Sequence, residues 1–105
     1  MTTFTREDYE MAAKAAGLRI KWIGEVAHDC TKLKPDAPAF KGSMWNPPED
    51  DGDALRLAVK LNLLGSPELF HFRSLERFGR QDADDITATR RAIFRAAIAI
   101  GRAMP

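Results

Sequence analysis

Apolar positions recur at helical spacing in three stretches of this chain and alternate with polar positions in two others. Tyr9, Ala12, Ala13 and Ala16 fall on one helical face. Thr5 followed by Asp8 is an acidic variant of the capping box, with Phe4 and Tyr9 at the staple positions around it. Gly17 is placed to end the helix in a left-handed conformation. The spacing therefore predicts a helix over 6–16. Leu18 to Gly24 then alternates at the period of a half-buried strand. Leu18, Ile20 and Trp22 would face the core, with Arg19 and Lys21 outward or under a covering loop. Residues 25–43 contain His28, Asp29, Pro35, Asp36, Pro38 and Gly42 and read as loop. So long a loop is unusual in a compact domain, which points to a short strand around Ala39–Ser43.

The second helical pattern follows an Asn46-Pro47-Pro48 turn. Asp50 can cap it, with Asp53 three residues on as the capping-box partner, and both acids sit at the positive end of the helix dipole. Leu55, Val59 and Leu63 form an apolar row that Leu57, Leu61 and Leu64 widen, while Arg56 and Lys60 point away. Gly65-Ser66-Pro67 reads as a stop. Glu68 to Leu75 reads as a strand with Phe70 and Phe72 on one face, and Glu76 to Gln81 as a polar loop or a continuing edge strand. Asp82, Asp84 or Asp85 can cap a last helix over about 85–103. Its apolar stripe is Ile86, Ile93, Ala97, Ile100 and Met104, with Arg91, Arg95 and Arg102 opposite and Arg90 snorkelling at the edge. The order helix, strand, possible strand, helix, strand, helix predicts an α+β fold. Its expected form is a small sheet with helices packed against it, those at the start, middle and end of the chain being available to cover both faces, in one domain spanning 1–105.

Composition narrows the function classes. The chain has 105 residues, 45% hydrophobic and 30% charged, with a net charge of +1, which argues for a folded domain and against a strongly basic DNA-coating protein. The single Cys30 excludes an internal disulfide framework and a cysteine-based structural zinc site. No apolar run reaches about 18 residues and the first residues lack a signal pattern, so the expectation is a soluble protein of a reducing compartment. Charge is uneven along the chain. Residues 1–53 carry 7 basic and 10 acidic side chains, and residues 54–105 carry 9 and 5. The last twenty residues hold Arg90, Arg91, Arg95 and Arg102 and no acid, a weak pointer to an anionic partner.

The stretch from Trp45-Asn46-Pro47 through Asp50-Asp51-Gly52-Asp53-Ala54 to Leu61, and the ending Arg90-Arg91-Ala92-Ile93-Phe94-Arg95 to Gly101, resemble the small bacteriophage and prophage proteins of the phage α-β-α sandwich domain family. A looser likeness extends to phage Nin-region proteins of the NinX type. The N-terminal helix with its Ala-Ala-Lys-Ala-Ala-Gly ending fits the same order. The resemblance implies a three-layer sandwich, a phage or prophage origin and action in the bacterial host cytoplasm. It implies no activity and supplies no catalytic residues.

The remaining candidates are sparse. Glu49, Asp50, Asp51 and Asp53, with Asn46, can be read as a hard-cation site or the core of a metal-dependent hydrolase, but helix capping explains them without a metal. His28 and Cys30 are too few for a zinc site and poorly spaced for a nucleophile pair, and His71 has no identifiable partner. Phosphate-loop, nucleophile-elbow and zinc-protease motifs are missing. The leading expectation is a non-enzymatic interaction module, with no cofactor and no resident metal, that binds a host or phage protein or itself. Its contact surface would be the ridge of Arg91, Arg95 and Arg102 with Trp45 nearby, or the edge of a small sheet. Nucleic-acid binding through the same ridge, with Trp45 as a stacking platform, is the alternative, although the place of Trp45 before a turn suits it better to pack over the helix start as a lid. A membrane partner is not expected.

Overall fold

The computed structural model describes residues 4–79 and 84–105. Along the chain come α1 (Arg6–Ala16), β1 (Ile20–Ile23), β2 (Val26–Asp29), a 3-10 turn (Ala39–Lys41), β3 (Ser43–Met44), α2 (Asp51–Lys60), α3 (Pro67–Gly79) and α4 (Asp85–Ala103). The expected α+β class and small sandwich architecture hold. The strands form an antiparallel sheet in the order β1-β2-β3.

Local chemistry sets the element ends. Thr5 Oγ1 accepts from Asp8 N at 3.2 Å while Asp8 Oδ2 accepts from Thr5 N at 2.9 Å, the expected reciprocal capping box. At the other end Gly17 has φ 69°, and the bonds Gly17 N to Lys14 O and Leu18 N to Ala13 O close α1 as a Schellman motif. Asp50 caps α2 by accepting from Asp53 N, and Asp84 caps α4 by accepting from Thr87 N. Of the other cap candidates for α4, Asp82 lies outside the described residues.

The core gathers around Phe94. Phe4, Tyr9 and Trp45 place their ring centroids 4.8, 4.7 and 6.2 Å from it, an aromatic cluster joining α4, α1 and the segment after β3. Alanines on α1 (Ala12, Ala13, Ala16) and α4 (Ala92, Ala96, Ala97) are buried, so the two helices lie close. The sheet alternates as expected. Ile20 and Trp22 join the helical core, while Arg19 and Lys21 turn to the other face. There Arg19 donates to the Cys30 and Leu33 carbonyls and Lys21 to the Pro35 and Ala37 carbonyls. The segment 30–41 with its 3-10 turn is thereby pinned over the second face as an outer layer.

Four expectations require correction. The strand read over 68–75 is helix α3. Ser66 Oγ accepts from Leu69 N at 3.1 Å and Pro67 is the first helical residue, so the Ser-Pro read as a stop is also a start. Leu69, Phe72 and Glu76 turn inward while Phe70 and Leu75 are exposed, which is period 3.6 and not 2. The expected loop over 76–81 is helical to Gly79, and the rest of it lies outside the described residues. Residues 26–29, read as loop, form β2. Gly24, at φ 57°, opens a two-residue hairpin between Ile23 and Val26. The strand expected at 39–43 is a 3-10 turn followed by a strand over 43–44.

The apolar faces of α2 and α4 also shift. Alpha2 buries Asp53, Ala54, Leu57 and Ala58 and exposes Leu55 and Val59. It ends at Lys60, before the expected Gly65 stop, because Asn62 takes the left-handed position of a Schellman motif. On α4, Ile93 and Ala97 are buried as expected, but Ile86 and Met104 are exposed and Arg91 is buried. Alpha4 contacts α1, α2 and α3, so one apolar stripe does not describe it.

Candidate functional site

The residues first expected to meet a partner have partners within the fold. Arg91 is 7% exposed and its Nε donates to Glu76 Oε2 at 2.8 Å. Arg95 Nε donates to the other oxygen of the same carboxylate, and both guanidiniums lie over the Phe4 ring. Arg102 pairs with Asp8 at 3.1 Å. The ridge expected to project from the fold is therefore turned onto α3 and α1, because the unforeseen helix α3 brings Glu76 against it. Trp45, a stacking platform only in the nucleic-acid alternative, is 5% exposed and packs against Tyr9 and Phe94, so it offers no open ring to a base.

Burial alone would push the Glu76 carboxyl up. Hydrogen bonds and charge from Arg95 and Arg91 outweigh that and hold it below the ordinary value of 4.5. The Tyr9 phenol is pushed above 10.0 by burial, with the Glu49 charge adding to it and Arg91 opposing; its hydroxyl donates to Asn46 Oδ1 at 2.8 Å.

The acidic group before α2 is a structural knot. Asp53 Oδ2 accepts from Asn46 N, Asp53 Oδ1 accepts from Arg56, and Asp51 pairs with Arg90, which also donates to the Pro48 carbonyl. Among the described residues no group of three or more His, Cys, Asp or Glu side chains is placed to hold a metal. Cys30 is buried, with its Sγ 4.0 Å from the Ala39 carbonyl, and His28 sits on β2 with Nδ1 3.3 Å from the Val26 carbonyl. His71 is exposed on α3, stacked edge-on against Phe72.

A half-open cleft of about 590 Å³ lies between β3 with its flanking residues and α2. Its apolar lining comes from Ala16, Leu18, Leu33, Trp45 and Leu57. Lys32, Lys41, Arg56 and Lys60 surround it, all exposed. The two acids there, Asp29 and Asp53, are already engaged: Asp29 Oδ1 accepts from Thr31 N and Oγ1, and Asp53 holds Asn46 and Arg56. Lys32, Lys41 and Lys60 have no ion-pair partner among the described residues, so the cleft carries a positive excess. Gly42 fixes the wall. A Cβ there would stand 2.6 Å from the Asp29 carbonyl oxygen and 2.8 Å from Cys30 Sγ, so only glycine lets the chain close onto β2. The sequence did not single out Lys32 and Lys41. Their spacing is unremarkable within a loop, and only the pinning of that loop across β1 brings them beside α2.

A second hollow, of about 410 Å³, runs between α2 and α4 and is almost wholly apolar. Leu55, Leu64 and Ile86 line it above Ala54 and Ile93, with the Asp51–Arg90 pair at its rim.

No helix among the described residues is long and apolar enough to cross a membrane. No family model, curated protein or solved structure matches the chain.

Proposed function

We propose that the chain is a non-enzymatic protein-interaction module, an accessory protein of phage or prophage type acting in the bacterial host cytoplasm. Its contact surface is the cleft between β3 and α2. The observation that carries this reading is the set of three ammonium groups, Lys32, Lys41 and Lys60, that stand around one apolar-lined cleft with no ion-pair partner among the described residues. Such a site is complementary to a protein surface that presents carboxylates beside apolar side chains. The resemblance of the Trp45 to Leu61 stretch to small phage proteins supports the origin. The nucleic-acid reading has less support than at first, since Arg91 and Arg95 are committed to Glu76 and Arg102 to Asp8.

The test is affinity capture from bacterial lysate, with and without nuclease, using the wild type and Lys41→Glu/Lys60→Glu in parallel. Both positions are exposed, so the variant is expected to melt within a few degrees of the wild type. A stoichiometric protein retained by the wild type and reduced at least tenfold on the variant is the expected result. Equal retention by both, or bands that vanish with nuclease, overturns the proposal.

A further inference from the structure

Beta3 is an edge strand with one side open. Among the described residues the order β1-β2-β3 leaves its outer side unpaired, and that strand forms a wall of the basic cleft. The register pairs Asp29 with Ser43 and His28 with Met44, and Trp45 N donates to Ala27 O at 2.9 Å. In an antiparallel pair, residues that exchange hydrogen bonds alternate with residues that do not. The Trp45 bond therefore places the Met44 N–H and C=O on the outer side. No hydrogen bond from another element reaches either group among the described residues. Met44 is 70% exposed. The edge is short and flanked by Lys41, two features that discourage pairing with another copy of the same edge, and Ser43-Met44 contains no proline.

Charge selects what pairs with this edge. Lys41 flanks it, and Lys32, Arg56 and Lys60 stand around the same cleft. A second copy would bring the same cations edge to edge and repel. An extended segment rich in carboxylates would be drawn in. Its backbone can exchange hydrogen bonds with Met44, and its alternate side chains fall on one side, where acids meet the lysines.

We infer that the occupant of the cleft is an extended acidic segment of a partner protein, which adds to the sheet as a fourth strand along the free edge of β3. This rests on the proposed protein-interaction function and goes further, in naming the partner's conformation and charge. The short strand gives direction and register, and the cationic rim gives most of the affinity.

The experiment titrates the intact protein with an eight-residue alternating Glu-Val peptide. A second peptide of the same sequence has alternate backbone nitrogens methylated, which keeps the charge and removes the pairing donors. The expected result is saturable binding of the first peptide, with Met44 amide exchange slowed at least tenfold. The methylated peptide should bind at least tenfold more weakly, as should the first peptide to Lys41→Glu/Lys60→Glu. Equal affinity for the two peptides, or unchanged Met44 exchange, overturns the strand inference. So does an oligothymidylate of eight nucleotides that displaces the first peptide at lower concentration. If the peptides fail while a nuclease-resistant lysate protein still depends on Lys41 and Lys60, the strand inference falls and the interaction module stands. If that dependence fails too, both fall.

Discussion

Replacing Gly101 with alanine is expected to lower the thermal unfolding midpoint by about 10 °C or more. Helix propensity alone predicts the opposite sign, since alanine is favoured over glycine inside a helix by about 0.5–1 kcal/mol. The difference is the seam between α1 and α4. A Cβ at position 101 would stand 1.9 Å from the Met11 carbonyl oxygen and 2.7 Å from its carbon. That neighbour is helical backbone, so no rotamer relieves the clash and the helices must separate. Separation loosens the packing of Ala12, Ala13 and Ala16 against α4 and disturbs the cluster around Phe94. Calorimetry of the variant decides the matter, and a raised midpoint would show that the helices do not approach this closely.

The second large effect is at Glu76. Glu76→Gln keeps the shape and removes the charge that Arg91 and Arg95 share. Glu76 and Arg91 are both buried, so the expected cost is about 3–5 kcal/mol, the range for losing one member of a buried pair. Acid should act in the same direction. The folded-state carboxyl titrates below 4.5, so its contribution is complete above the unfolded value and fades as pH falls through the folded one. Denaturant unfolding of the wild type should show stability falling from about pH 4.5 downward. The Gln variant, having no carboxyl there, should be less stable at neutral pH and flatter in acid. Parallel pH profiles for the two proteins would refute this role for Glu76.

Elements governed by local signals were legible in the sequence. Thr5, Asp8 and Gly17 bracket α1 by chemistry within a few residues of each terminus, and the alternation over 18–24 places β1. Alpha3 was misread because Phe70 and Phe72 mimic a strand period, while the inward residues Leu69, Phe72 and Glu76 include an acid that no hydrophobic pattern counts. Beta2 is hard to read because its burying residue is the small Ala27 and its local hairpin signal is a single Gly24-Glu25 turn. The site was less legible than the fold. Arg91, Arg95 and Arg102 look like a surface only until α3 and Asp8 are set beside them. Lys32 and Lys41 come to the cleft through the carbonyl bonds that Arg19 and Lys21 make to the segment between, a tertiary arrangement that no local spacing encodes.

Alpha3 rests on α4 and makes no comparable contact with any other element among the described residues. Its ties include Leu69, Phe72, the Glu76 carboxylate and the Arg73 bonds to Thr89 and Asp85. Alpha1 and α4, by contrast, share the alanine seam and the aromatic cluster. Alpha3 therefore depends on a single neighbour. Alpha3 should detach first, at a cost below that of global unfolding, with amides that exchange ahead of those of α1 and do so increasingly in acid.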